Sequence, residues 1–245
     1  LKLGSGEITN GPLLLKCAQL RKPLIISTGM STLAEIEQAL HVLAFGFVRA
    51  NDSVPRSSKA FEKAFFSSEG QAALKENVTL LQCTTEYPAP MQELNLKVIQ
   101  TLKNAFDLNV GFSDHSQGVG ASVAAVALGA TLIEKHFTID KTLPGPDHMA
   151  SLEPQDLKRL IQNIREVEKA LGTSQKFVTA SELKNQSIAR KSLATSSQVK
   201  IGEKFDESNL VTKRPGSGIS PMKYWDQLGQ SANRTYQADE EIEND

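Results

Sequence analysis

Short apolar runs that end in polar tips recur along the chain, and most lead into a stretch of helical periodicity. The β-type runs cover residues 1–4, 24–27, 78–83, 110–112 and 131–137. Their tips read Gly-Ser-Gly-Glu, Ser-Thr-Gly-Met, Thr-Thr-Glu-Tyr, Ser-Asp-His-Ser and Lys-His-Phe-Thr. Between them the apolar period changes. Leu33, Ile36, Leu40 and Leu43 fall on one helical face, with Ser31 or Thr32 placed to cap it. The spacing predicts further helices over 95–106, 118–128 and 152–171, the last with Pro154 in its first turn and Gly172 as its stop. Strands alternating with helices imply parallel βαβ units. The fold class is therefore α/β, as part of a (β/α)8 barrel or as an open doubly wound sheet. Either fold gathers the strand tips on one face, where ligands bind.

Two stretches depart from this rhythm. Residues 45–77 read as a surface insertion, loop-like over 51–58 with a short helix over 59–66. Beyond Gly172 the pattern becomes short runs at 192–194, 202–205 and 209–213 separated by polar turns, with Arg214-Pro-Gly-Ser-Gly218 as a stiff-then-flexible loop. The boundaries expected are a first domain over 1–175 and a small β-rich domain over 181–245, its last residues from 238 frayed. The chain starts at Leu and opens on what reads as a strand end. The expectation is an N-terminally incomplete barrel whose strands cannot close, leaving an open edge, poor stability and no activity.

Composition narrows the classes without choosing among them. The chain has 245 residues, a net charge of −1 and 40% hydrophobic residues, which is ordinary globular composition. A charge near zero gives no reason to expect nucleic acid or an anionic membrane as partner, and no apolar run approaches the roughly 18 residues of a membrane span. Cys17 and Cys83 make no disulfide framework and read as free thiols in a reducing cytoplasm.

The tips carry the candidate chemistry. His115 and His136 end successive strands, about 4.8 Å apart in a sheet, so both imidazoles can reach one divalent ion; the same pair also reads as a helix-start residue and an unrelated core residue. Asp114 can ligate, orient a histidine or simply favour a helix N-terminus. Lys2, Ser5 and Glu7 bracket Gly4 and Gly6, where the backbone can approach a ligand closely. Ser27-Thr-Gly29 precedes a helix start and suits an anion. With Ser113 on the same face, these residues describe an anion pocket for a phosphorylated or carboxylated substrate. Tyr87 can cover that pocket or merely pack. Asp147 can accept hydroxyls and His148 beside it reads as a turn residue, while His41 and the pair Arg190 and Lys191 read as structural and solvated. The contiguous Ser113, Asp114 and His115 are not a hydrolytic triad, whose members come from separate places in a fold.

Taken in order, these tips resemble the N-acetylneuraminate (sialic acid) synthase family. The resemblance rests on Lys2-Leu-Gly-Ser-Gly-Glu7, Ser27-Thr-Gly-Met30, Cys83-Thr-Thr-Glu-Tyr-Pro88, Phe112-Ser-Asp-His115, Glu134-Lys-His-Phe-Thr138 and Gly145-Pro-Asp-His148. Lys213-Arg-Pro-Gly-Ser-Gly218 resembles the family's C-terminal antifreeze-like (SAF) domain. The resemblance implies a (β/α)8 TIM barrel, here lacking the first three strands, followed by the SAF domain, usually in a domain-swapped homodimer. It implies a phosphoenolpyruvate-dependent transferase that joins phosphoenolpyruvate to N-acetylmannosamine, or to a related N-acetylated amino sugar, with Mn²⁺ or Mg²⁺. The sister alternative is a legionaminic or pseudaminic acid synthase acting on a 6-deoxy diamino sugar. The resemblance places Glu7, His115 and His136 in the catalytic set, with both histidines on the metal. It places Lys2, Ser5, Ser27, Thr85 and Ser113 on phosphoenolpyruvate, and Glu7, Tyr87 and Asp147 in the sugar pocket. Arg214 matches an arginine that a partner copy inserts over the sugar. Thr85 stands where many members have Asn, and Gln82 where a His is frequent. A metal-dependent barrel hydrolase would need further ligands at these tips, and a sugar-binding module would leave the lysine, serines and histidines unexplained.

Overall fold

The computed structural model describes residues 1–49 and 55–243. The chain divides into two compact units, Leu1–Gly172 and Thr173–Asp245.

In the first unit, strands β1 (Lys2–Leu3), β2 (Leu24–Ser27), β3 (Val78–Cys83), β4 (Asn109–Asp114) and β5 (Ile133–Lys135) pair in the order β1-β2-β3-β4-β5. Every pairing is parallel. The connections are helical: α1 (Gly11–Gln19), then α2 (Leu33–Val48), α3 (Ser58–Phe65) and α4 (Ser68–Asn77), then α5 (Val98–Phe106) and α6 (Gly120–Ala127), with α7 (Pro154–Leu171) after β5. Thr32, rather than Ser31, caps α2 in a full capping box with Glu35. Gly172, at φ 52°, ends α7.

Side-chain alternation gives the sheet two unlike faces. Leu3, Leu24, Ile26, Val78, Leu80, Val110 and Phe112 join residues of α1, α2, α4, α5 and α6 in one apolar core. The alternate positions, among them Lys2, Ser27, Cys83 and Ser113, form the opposite face. That face is concave: Lys2 Nζ on β1 lies 3.4 Å from Glu134 Oε2, which flanks Ser113 on β5. In a flat sheet, four steps of roughly 4.8 Å would hold these strands about 19 Å apart, so the sheet curls strongly. A half-barrel of parallel strands with helices outside is therefore observed, and the doubly wound alternative does not describe it.

Residues 45–77 correct the expectation of an insertion. Phe45 and Phe47 are buried in α2, and Ala64 of α3 and Leu74 of α4 belong to the same core. These helices are the β2–β3 crossover itself. The expected loop over 51–58 lies partly outside the described residues.

The second unit holds α8 (Ala180–Ala189), an antiparallel pair β6 (Ser192–Thr195) and β7 (Leu210–Lys213), and the short α9 (Tyr224–Gln227). Leu193, Val199, Phe205, Leu210, Ala232, Tyr236 and Ile242 make its core. The 202–205 run forms only a bridge, Lys204 to Ser231, and α8 was not expected. The C-terminal run is ordered as far as it is described: Ile242 is buried and its N–H donates to Leu193 O at 2.9 Å. Residues 244–245 lie outside the described residues.

Candidate active site at the strand tips

The concave face and its rim collect most of the candidate residues. Ser113 is buried on β4 and donates its only hydroxyl hydrogen to Glu134 Oε1 at 2.7 Å. His115 follows on the same face. Its Nδ1 lies 2.8 Å from Thr84 O, and a carbonyl can only accept, so Nδ1 carries the proton and Nε2 presents a lone pair. Tyr87 Oη donates to Nε2 at 3.0 Å and its ring stacks on the imidazole with centroids 4.0 Å apart. Burial pushes the His115 pKa below its ordinary value, against the pull of the Thr84 carbonyl and of Glu134 and Asp114. Burial, helped by Cys83, Asp147 and Glu134, pushes the Tyr87 phenol up, which keeps it a donor. His136 stands edge-on to His115 with ring centroids 5.7 Å apart, and Asp147 Oδ2 lies 3.8 Å from its Nδ1.

A second cluster surrounds Gly29. Ser5 Oγ accepts from the Gly29 N–H at 3.1 Å and reaches Cys83 Sγ at 3.6 Å. A Cβ at Gly29 would fall 2.7 Å from Ser5 Oγ and closer still to Thr85 Oγ1, so Gly29 is what allows these hydroxyls to converge. Ser27 is buried, and its Oγ has no hydrogen-bond partner among the described residues, an uncommon condition for a buried polar atom.

Other candidates behave differently. Glu7 sits in the turn Ser5–Glu7 and accepts from Asn10 Nδ2 at 2.7 Å; none of the described hydrogen bonds joins it to the histidines. Asp114 points away from His115, toward the helix layer. His148 is tied to Thr138 Oγ1 at 2.7 Å, as a loop residue would be. His41 packs on Phe65. Arg214 belongs to the second unit, where its Nε donates to Ala189 O at 3.0 Å.

Sequence reasoning assigned no role to Glu134 or Lys135. The signal was available in the alternation: with Ser113 and His115 inward, the parallel neighbour must place Glu134 and His136 inward and Lys135 outward.

The donor chemistry fits a divalent ion in part. A neutral imidazole whose far nitrogen is fixed by a backbone carbonyl is the usual form of a histidine ligand, and His136 supplies a second. Among the described residues no cluster of three or more His, Cys, Asp or Glu side chains could hold a metal. An ion held here would take its remaining ligands from water or substrate.

The sequence of the first unit decides the lineage, because the model of the NeuB family matches residues 1–176. The chain belongs to the NeuB family. It is 51% identical over 241 residues to an N,N'-diacetyllegionaminic acid synthase of Campylobacter jejuni, covering 98% of this chain and 65% of that protein. It is 41% identical to the synthase of the same name from Legionella pneumophila, over 91% of this chain and 56% of that one. Among solved structures, the sialic acid synthetase of Leptospira borgpetersenii in complex with citrate superposes with a TM-score of 0.60 at 34% identity, covering 76% of this chain and 55% of that one. This NeuB-family chain thus spans less than two thirds of the length of these relatives. No helix among its described residues is long and apolar enough to cross a membrane.

Proposed function

We propose that the chain is part of a sialic-acid-type synthase, with residues for both phosphoenolpyruvate and sugar, and that its sugar is a 6-deoxy diacetamido hexose. The relatives named for N,N'-diacetyllegionaminic acid favour this sugar over the N-acetylmannosamine expected first. The observation that carries the chemistry is the concave cluster of Lys2, Ser5, Ser27 and Ser113 beside the imidazole pair. The Lys2 ammonium and the clustered hydroxyls suit a ligand bearing both phosphate and carboxylate. The unpartnered Ser27 Oγ gains from a ligand oxygen the hydrogen bond it lacks within the protein.

In the reaction implied, the methylene carbon of phosphoenolpyruvate forms a bond to the aldehyde carbon of the open-chain sugar. Water then adds at the former enol carbon and inorganic phosphate leaves. The residues contribute mainly alignment. Lys2, Ser5, Ser27, Thr85 and Ser113 hold the phosphoenolpyruvate, Ser113 by turning its hydroxyl hydrogen from Glu134 to the ligand, and Glu7, Tyr87 and Asp147 contact the sugar. His115 and His136 would hold a Mn²⁺ or Mg²⁺ ion, which would supply Lewis acidity for the condensation. Thr84 O holds His115 in the tautomer whose Nε2 can ligate once Tyr87 Oη withdraws from it. The second unit is read as the SAF domain on its run at 213–218.

The test is phosphate release by the intact protein from phosphoenolpyruvate, with 2,4-diacetamido-2,4,6-trideoxymannose and with N-acetylmannosamine, each with and without Mn²⁺. Sugar-dependent release that is faster with the diacetamido sugar is expected. Release independent of sugar would sink the synthase reading, and a preference for N-acetylmannosamine would restore the first expectation.

A further inference from the structure

Behind the imidazoles, on the face turned away from the cleft, lies an ion pair removed from solvent. Lys135 Nζ stands 2.9 Å from Asp114 Oδ2, with side chains 4% and 0% exposed. The two residues are directly paired across β4 and β5. Each is flanked by inward-facing chemistry: Asp114 by Ser113 and His115, Lys135 by Glu134 and His136.

Both ends of the pair are held by further contacts. Oδ1 of Asp114 accepts from Ser116 N at 2.8 Å and Ser116 Oγ at 2.6 Å, and Oδ2 accepts from Ser122 Oγ at 2.5 Å while facing the Lys135 ammonium as an ion pair. Three hydrogen bonds and one ion-pair contact thus surround the carboxylate. Lys135 Nζ donates to Ser116 O at 2.7 Å and to Asp114 O at 3.5 Å.

Such a pair contributes little net stability, because desolvation offsets its attraction, and its best-attested use is to set register. Register is what β5 lacks. The strand has three residues, its one apolar side chain, Ile133, is only partly buried, and among the described residues it pairs with β4 alone. We infer that Lys135 and Asp114 are positioning residues: they pin the β5 tip and the 114–116 loop to β4, and so fix where His115, Ser113, Glu134 and His136 stand relative to one another. They touch no reacting atom. The part of this inference that concerns metal affinity rests on the synthase reading above; the part that concerns the His115 tautomer does not.

Two readouts on the intact protein separate those parts. The first is the ¹⁵N signature of the histidine side chains. Wild type should show His115 protonated on Nδ1; Lys135→Met should give a mixture of tautomers and Lys135→Arg should restore the single form. The second is Mn²⁺ affinity. His115→Ala should abolish binding. Lys135→Met should weaken it on the order of 10–100-fold, as for other outer-shell partners, with Lys135→Arg within about threefold of wild type. If Lys135→Met does not fold, the double variant Lys135→Met/Asp114→Asn leaves no buried charge unpaired and must show the same tautomer mixture. Wild type that binds no Mn²⁺ overturns the metal reading and leaves the tautomer result to decide the pair's role. A folded Lys135→Met protein with the wild-type His115 tautomer and affinity overturns the inference.

Discussion

Replacing Gly29 by Ala tests the architecture of the anion pocket with one methyl group. The backbone at Gly29 is not among the positive-φ positions, so Ala meets no left-handed strain there, and a small stabilisation of the fold is expected from the lower entropy of the unfolded chain. The methyl instead meets side chains. It would sit 2.7 Å from Ser5 Oγ and nearer to Thr85 Oγ1, so both hydroxyls must retreat by on the order of 1 Å. A misplacement of about 1 Å at a positioning group lowers reactivity roughly 10²-fold, or about 2.7 kcal/mol of barrier. Both displaced atoms end short side chains, so the fold should survive with a melting temperature within a few degrees of wild type. Steady-state phosphate release should show the loss in kcat/KM for phosphoenolpyruvate, with the sugar KM little changed. Wild-type kcat and KM for phosphoenolpyruvate would refute the reasoning, because Ser5 and Thr85 would then not bracket the substrate.

Phe112→Ala opens a void beneath the sheet where the ring is fully buried; the expected loss of about 3–5 kcal/mol is read from urea unfolding, and a loss under about 1 kcal/mol would contradict the packing. His115 has a native pKa below the ordinary value of about 6.5 because burial disfavours the imidazolium. Its contribution to stability is therefore complete above about pH 6.5 and is lost as the pH falls toward the lower native value. The drop in urea midpoint between about pH 7.5 and about pH 5.5 should shrink in His115→Gln, and an equal drop in both proteins would count against this assignment. If, as the family resemblance implies, Arg214 of a partner copy covers the sugar, Arg214→Ala should raise the sugar KM and leave that for phosphoenolpyruvate unchanged; the reverse pattern would overturn that role.

Where apolar burial sets the structure, the sequence was a good guide. The expected strands at 24–27 and 78–83 match β2 and β3, because both are runs with one face sealed under helices. β4 extends beyond its apolar run because the ladder continues into polar residues: Cys83 pairs with Ser113, and Asp114 with Lys135. No local hydrophobic signal marks such a continuation. α4 was missed for a related reason, since only Gly70 and Leu74 are buried along it. At the site, the local motifs flagged Ser113, His115 and His136. The Lys2–Glu134 contact joins the first strand to the last, so it depends on curvature that no window of sequence reports. Ser27, marked only as a possible anion contact, gained weight because its hydroxyl is buried without a partner.

Register ties the fold to the site, and it is encoded differently along the sheet. On β4, Val110 and Phe112 are 1% and 0% exposed; a one-residue slip would turn both into the cleft and drive Ser113 and His115 into the apolar core, so burial alone forbids it. On β5 the inward residues are Glu134 and His136, and the outward ones are Ile133 and Lys135. Only Ile133 among them packs against the core, and it is only partly buried. A slip there would cost little apolar area. It would instead strand Asp114 without its cation and push the Glu134 carboxylate into the helix layer, each a buried unpaired charge costing several kcal/mol. The polar code thus takes over where the apolar code fades, which is also where the two imidazoles must be held in fixed relation.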